Sequence, residues 1–418
     1  MTWGAFARLR QRGAGISRNA RLFLWMIFLS NVGISGVFIL LYNLYLVKLG
    51  YNEDFIGLLS FVQMGAVALG AYPAGALSER FGCRRLLIAG SLVMGLGSIG
   101  QCLATQPPLL AALNFVTGVG FALRIVPYTP YLVNNTTRSE RTLVFASNSA
   151  AISVAGTIGN LLGGQLPALF VLLLGLSSAT SVEAYRASLV VGAVVGLAAA
   201  VPIIMATECT DYGGSSPSEP GGSMQTSRAA SRSRRDVRVF ILVTCLFALA
   251  AASIGPFANV YFSRVLGLEA ASISVIFSAG SVLAAVATVG ASGVAERVGK
   301  VRTMVAIRFA GAPLLALLAL RPSVLLGTVA FLLRNVTEMA GWPLDGAFLA
   351  EVIPVRRQAR TVAYRSVAWN ATWAITAFAA GQVIVRFGYT PLLIVAAAVL
   401  AASSSIYYFA FSGHEKAR

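Results

Sequence analysis

The sequence has 418 residues, of which 57% are hydrophobic and 11% charged, less than half the charged share of ordinary soluble domains. With a mean hydropathy of +0.77, so much apolar surface cannot be hidden inside a water-soluble globule, and a bilayer has to solvate most of it. The net charge of +17 would point to nucleic acid in a soluble chain. In a membrane chain basic residues collect in cytoplasmic loops, so no nucleic-acid partner is expected.

The chain opens on a basic arm (Arg8, Arg10, Arg12, Arg18, Arg21), read as a retained cytoplasmic segment because the apolar run behind it is too long for a signal peptide. Twelve apolar runs follow, at 22–47, 54–78, 85–105, 108–133, 142–174, 184–206, 238–264, 270–294, 303–320, 323–350, 361–385 and 389–411. Runs of this length predict helices rather than the short alternating strands of a membrane barrel, so the expected fold is all-α with twelve transmembrane helices. Residues 207–237 are rich in Ser, Gly, Pro and Arg and cannot bury a core. They are read as a cytoplasmic linker between a six-helix bundle at 1–206 and a second at 238–418. Placing the N-terminus inside puts 23 basic residues in the inner loops and tails against 5 outside. That asymmetry predicts an inner-membrane protein with both termini cytoplasmic.

Four scattered cysteines (Cys83, Cys102, Cys209, Cys245) give neither a disulfide framework nor metal-ligand spacing, and His414 is the single histidine. No metal, cofactor or enzyme chemistry is expected, and no phosphate-binding G-x-x-x-x-G-K-[ST] segment occurs.

The two halves repeat. Gly75-Ala-Leu-Ser-Glu79-Arg80-Phe-Gly82-Cys-Arg84-Arg85 lies between spans 2 and 3, and Gly293-Val-Ala-Glu296-Arg297-Val-Gly299-Lys300-Val-Arg302 between spans 8 and 9. Glu79 and Glu296 are 217 apart; Arg141-Thr and Arg360-Thr, after spans 4 and 10, are 219 apart. A near-constant offset across separate loops argues for duplication, and duplicated six-helix halves around a midplane site are the architecture of a secondary transporter.

The 75–85 segment resembles the signature loop of the major facilitator superfamily, G-x-L-a-D-R-x-G-R-R, with Glu79 in place of Asp. The resemblance implies two pseudo-symmetric bundles, and a cytoplasmic latch made by Gly75, Glu79, Arg80, Gly82, Arg84, Arg85 and Arg141, with Glu296, Arg297 and Gly299 in the second copy. The acid at a helix end would pair with loop arginines or a helix N-terminus in one arrangement of the halves and release in the other. In span 5, Gly156, Gly159, Asn160, Gly163 and Gly164 resemble the family's antiporter motif with Asn in place of Pro; small residues there permit tight helix packing. Span 4 lacks the arginine that the family's drug–proton antiporters carry, and Asn114 stands in the corresponding R-x-x-x-G segment. Arg124 lies deeper in that span, with Tyr128 one turn beyond. Asn31, Ser35, Phe38 and Tyr42 share one face of span 1, as either a cavity wall or a helix–helix seam.

Span 10 carries Arg334, Glu338, Trp342 and Asp345 on one face. Ionisable groups at bilayer depth face a cavity or a partner, and Arg334 and Glu338 have the spacing of an intrahelical pair. Glu338 and Asp345 are therefore candidate proton-coupling carboxyls, with a mutually neutralised structural pair as the alternative. Arg124, Tyr128, Arg334, Trp342 and Trp369 are candidate substrate contacts, with Asn31, Ser35 and Tyr42 if the span-1 face is a cavity wall. Arg124 and Asp345 also occupy repeat-related positions that could face each other as an inter-half gate. Arg308 and Arg365 are expected to snorkel toward the cytoplasmic headgroups. The expected function is proton-coupled export of an organic or amphiphilic compound by a monomer, with symport or exchange of an organic anion as the alternative. A receptor that kept the fold would be expected to carry a soluble module, and the linker and tails contain none.

Overall fold

The computed structural model describes residues 16–175, 178–207 and 227–415. Its long helices are α1 (Arg18–Lys48), α2 (Glu53–Phe81), α3 (Cys83–Leu103), α4 (Pro107–Asn134), α5 (Arg138–Leu174), α6 (Val182–Met205), α7 (Ser227–Ala252), α8 (Ala270–Val298), α9 (Lys300–Ala319), α10 (Val324–Val352), α11 (Val355–Phe387) and α12 (Tyr389–Glu415). A 3₁₀ turn at Gly255–Phe257 carries α7 into a short outer segment, Ala258–Arg264. Helix α7 begins at Ser227, inside the stretch read as linker; residues 208–226 of that stretch lie outside the described residues, as does the basic arm up to residue 15.

Eleven of the twelve are long and apolar enough to cross a bilayer. The exception is α11, whose length is ample but whose first half carries Arg356, Arg357, Arg360 and Arg365. Large apolar side chains such as Leu69, Leu172, Val289 and Phe409 face outward, where lipid rather than water satisfies them.

Local chemistry sets the helix ends. Ser17, Ser181 and Ser323 accept hydrogen bonds from the first-turn N–H groups of α1, α6 and α10. Thr137 and Glu140 form a reciprocal capping box at α5. The tight α2–α3 and α8–α9 turns need a positive φ, and glycine supplies it at Gly82 (86°) and Gly299 (103°). These two glycines are 217 positions apart, as are Gly50 and Gly267, left-handed glycines of the α1–α2 and α7–α8 loops.

The repeat extends to side-chain contacts. The Tyr45 hydroxyl donates to the Cys102 carbonyl (3.2 Å), and the Tyr261 hydroxyl to the Leu318 carbonyl (2.7 Å); both members shift by 216. At the axis the contacts become reciprocal. Asn43 Nδ2 donates to the Pro256 carbonyl (2.5 Å) and Asn259 Nδ2 to the Leu40 carbonyl (2.7 Å). Adding 216 to either pair's first-half member yields the other's second-half member. Nearby, Glu53 at the start of α2 joins Arg264 (2.6 Å) and the Tyr389 hydroxyl (3.1 Å) of the second half.

Two helix crossings complete this junction. Helix α2 packs on α11, and α5 on α8. A Cβ on Gly57 would lie 2.4 Å from the Ala377 carbonyl oxygen, and one on Gly381 2.4 Å from that of Glu53. At the other crossing, a Cβ on Gly164 would meet Ser274 Oγ at 2.0 Å. The described hydrogen bonds between the halves lie at mid-depth or at the end that holds the α1–α2 and α7–α8 loops. The molecule is closed at that end.

Within the first half, α1 widens to a π-helical stretch at Asn31–Phe38. Its two glycines sit against other backbones: Gly33 against Gly192 and Gly196 of α6, and Gly36 against Gly159 of α5. The span-5 glycines thus divide their work. Gly159 and Gly163 seat α1, and Gly164 faces α8 across the junction. Asn160 is buried beside them.

A Gly159→Val substitution forces a methyl onto the Val32 carbonyl and should lower stability by about 1–3 kcal/mol, read as a fall in thermal unfolding temperature in detergent. Gly75→Ala, which meets nothing within 4 Å, should leave that temperature unchanged. Removing either axial amide, as Asn43→Leu or Asn259→Leu, should weaken the closed end by about 1 kcal/mol. In a cysteine-free background carrying Ser60→Cys, labelling by an impermeant thiol reagent applied from the closed side should then rise roughly fivefold.

Candidate functional site

A cavity of about 310 Å³ lies between the halves, lined chiefly by α1–α4 and closed on the far side by Gly255, Pro256 and Trp373. Ser35, Phe38 and Tyr42 of the predicted span-1 face line it. Asn31 does not join them; its amide donates to the Ile27 carbonyl of its own helix (2.8 Å). Tyr42 is buried and accepts a hydrogen bond from Asn114 Nδ2 (3.0 Å). Gln63 and Gln101 both donate to Thr117 Oγ1, at 3.4 and 3.1 Å. Amides and hydroxyls in the middle of apolar helices are costly unless paired. That cost was the available signal for Gln63, Gln101 and Thr117, which sequence reasoning passed over, as it did Trp373.

Arg124 lines the cavity, donates to Ser30 Oγ, and stands over the Phe121 ring at 5.7 Å. No carboxylate is found among the residues that line this cavity. Tyr128, one turn on, points elsewhere: its hydroxyl donates to Asn148 Oδ1 (2.6 Å) and its ring packs edge-on against Phe23.

The second half holds the charge. Glu338 is the central residue of the 29-residue α10 and pairs with Arg334 at 2.8 Å, both side chains almost wholly buried. About two turns on, Asp345 is bound by Arg365 and lies 3.6 Å from Arg308. Arg365 also donates to Thr244 of α7 (2.8 Å), so this one carboxylate ties together α7, α9, α10 and α11. The expectation that Arg308 and Arg365 snorkel is overturned. The Arg308 side chain is 5% exposed, over the Phe247 and Tyr407 rings. An inward counter-charge within reach makes a stretch to the headgroups unnecessary. Asp345 and Arg124 each take their partners from their own half, so no Arg124–Asp345 gate is closed in this conformation.

Trp342 and Trp369 form an edge-to-face pair (4.8 Å), and Trp369 leads on to Trp373 (5.7 Å) at the cavity wall. The tryptophans thus form a row between the charged cluster and the cavity, in which Trp373 is the member that lines it.

At the other end of the molecule, the signature-loop residues surround an open cleft with the end of α4. Arg84 donates to the Ile203 and Ile204 carbonyls (3.2 and 2.7 Å), capping α6, and Arg141 donates to the Val133 carbonyl (3.3 Å). Glu79 and Arg80 are exposed, and Glu79 pairs with no cation among the described residues. Glu296 and Arg297 are likewise exposed; Lys300 beside them is bound to Glu351 of α10.

Comparison with known proteins agrees with this architecture. A mutant of the nucleoside transporter NupG superposes with a TM-score of 0.72 at 12% identity, covering 94% of this chain and all of that one. A bacterial homologue of the human lysosomal transporter Spinster, in an inward-facing and occupied conformation, gives 0.72 at 14%, covering 94% and 95%. Sequence relatives align over shorter stretches. Multidrug resistance protein MdtH of Photorhabdus laumondii is 32% identical over 111 residues, 27% of either chain. The 4-hydroxybenzoate transporter PcaK of Pseudomonas aeruginosa is 26% identical over 121 residues, 29% of this chain and 27% of that one. The chain thus spans about a quarter of the length of these curated relatives. The family description Major Facilitator Superfamily matches residues 23–344 and 240–418. The chain carries the helices of a multi-pass membrane protein and belongs to the Major Facilitator Superfamily.

Proposed function

We propose that this transporter exports an organic compound from the cytoplasm in exchange for protons, with Glu338 as the proton-carrying carboxyl. The observation that supports it is a separation of roles. The cavity offers amides, hydroxyls, aromatic rings and Arg124 to a solute, while Glu338 stands at the centre of α10 with Arg334 as its ion-pair partner. A carboxylate bound to one neighbouring cation changes its proton affinity when that neighbour moves, which is what alternating access requires of a coupling group. Asp345, engaged by two arginines, acts in this reading as the neutralising tie of the second half. The name of MdtH, a multidrug resistance protein, favours export.

Orientation follows from the excess of basic residues in the loops assigned to the inside. With both termini cytoplasmic in the inner membrane, the closed end faces outward and the conformation is inward-open. The exposed Glu79 is then a latch in its released state, to be engaged when the halves close over the cytoplasmic side.

One observation favours a second reading, symport or exchange of an organic anion. Arg124 reaches the cavity with no carboxylate beside it, and an uncompensated guanidinium in a low-dielectric site attracts an anion and repels a cation. The row of tryptophans suits an aromatic ring. PcaK, whose name gives 4-hydroxybenzoate as its solute, points the same way.

Proteoliposomes with an imposed pH gradient test the first reading. Wild-type flux should follow the gradient, and Glu338→Gln should still equilibrate solute while its response to the gradient disappears. A variant with full gradient dependence would remove Glu338 from the coupling role. For the second reading, Arg124→Gln should lower transport of aromatic carboxylates at least tenfold and leave uncharged analogues within about twofold, a difference of at least ~1 kcal/mol assigned to the charge. Equal losses for both classes would mean that Arg124 acts structurally.

A further inference from the structure

We infer that the second half contains an anion site of its own, between Arg308 and Arg334, that takes a halide-class ion. It shares no lining residue with the central cavity.

Three observations carry this. The first is space: a pocket of about 10 Å³ is enclosed by Arg308, Arg334, Thr337, Glu338 and Phe247 among others, room for about one particle of water's size. The second is unspent hydrogen-bonding capacity on its walls. Arg308 and Arg334 are 5% and 6% exposed, yet Nε and Nη1 of Arg308 and Nε of Arg334 have no partner. Buried guanidinium N–H groups are satisfied in folded proteins as a rule. Three such donors belong to two arginines that line one pocket; Asp345 Oδ1, also without a partner, lies on the Asp345 side of Arg308 and outside the lining, so an acceptor placed in the pocket is what would serve Arg334. The third is charge. Among the described residues Arg308, Arg334 and Arg365 pair only with Glu338 and Asp345, three cations against two carboxylates within the bilayer.

A water molecule would accept some of these bonds but supply no charge. A small monovalent anion does both. The Phe247 ring, under the Arg308 guanidinium at 4.6 Å, covers one side of the pocket and offers no competing donor. Glu338 is the natural rival of the ion, because its carboxylate already occupies Arg334. Ion and carboxylate therefore compete for one guanidinium, and the halide would tune the same ion pair to which the proposed coupling is assigned. The site itself rests on the pocket and its donors and stands whether or not Glu338 carries protons.

The test is thermal unfolding of the purified full chain in detergent, with chloride or bromide replacing gluconate at constant ionic strength. Both halides should raise the unfolding temperature saturably. Arg334→Gln should abolish the rise, and Arg124→Gln, which alters an arginine of the other half, should keep it. Glu338→Gln should lower the half-saturating chloride concentration severalfold. Crystals grown in bromide should show an anomalous peak between Arg308 and Arg334, which decides the matter if Arg334→Gln does not fold. A wild-type response no greater than in gluconate, one that survives Arg334→Gln, or bromide crystals without the peak would each overturn the site and leave the pocket to water. A failed pH-gradient experiment would leave this result untouched.

Discussion

Two asparagine amides, each donating to a backbone carbonyl of the other half, form the junction around which the rest of the molecule is arranged. Asn43 reaches Pro256 and Asn259 reaches Leu40, and the repeat exchanges one bond with the other. Both acceptors lie where helix geometry is disturbed or just past such a disturbance: Pro256 in the 3₁₀ turn of α7, and Leu40 two residues beyond the π stretch of α1. In a bilayer no water is at hand to satisfy a freed carbonyl, so an amide from the opposite half is a specific solution. Glu53 and Arg264 add an ion pair at the same end and Tyr389 a hydrogen bond, and the glycine crossings of α2 with α11 and α5 with α8 let the backbones meet there. The cavity exists because the halves are joined at one end and part toward the other.

Chemically the two halves have diverged on a common frame. The first half lines the cavity with neutral hydrogen-bonding groups arranged in short chains, Gln63 and Gln101 to Thr117 and Asn114 to Tyr42. The second half concentrates three arginines and two carboxylates around α10 and keeps them buried. The repeat preserves backbone-determining positions, such as Gly82 with Gly299 and Tyr45 with Tyr261. It keeps the loop charges, Glu79 with Glu296 and Arg80 with Arg297, but has no first-half counterpart of the buried charged cluster around α10. Neutral hydrogen-bonding groups and buried charges are therefore carried by different bundles, with the tryptophans of α10 and α11 between them.

Much of this was legible in the sequence, because the bilayer enforces simple rules. Helix length, loop charge and the repeated loop each leave a local, periodic trace. The Arg334–Glu338 pair was legible for the same reason: it is one helical turn long. Contacts between helices distant in sequence were harder. Arg308 and Arg365 were expected to reach for headgroups because nothing in their own helices shows that Asp345 stands within reach. Asn31 shares a helical face with Ser35 and Tyr42, yet the π stretch begins at that residue and its amide turns back to Ile27. The axial asparagines did leave a trace, the same residue type at the repeat offset, but only a side-by-side reading of the halves brings it out.

Helix α11 carries a consequence for how the molecule is made. With arginines through its first half it is too polar to partition into lipid alone, yet in the finished protein it lies along α2 of the first half and α7 of its own, with Arg365 bound to Asp345 and Thr244. Its passage into the membrane is thus an act of assembly rather than of partitioning. The groups that accept Arg365 belong to α10 and α7, and the apolar second half of α11 meets α2, about three hundred residues upstream, at Gly57 and Gly381. Helices α2, α7 and α10, against which it packs, all precede it in the chain, so the surfaces that receive the eleventh helix are already made when it is synthesised.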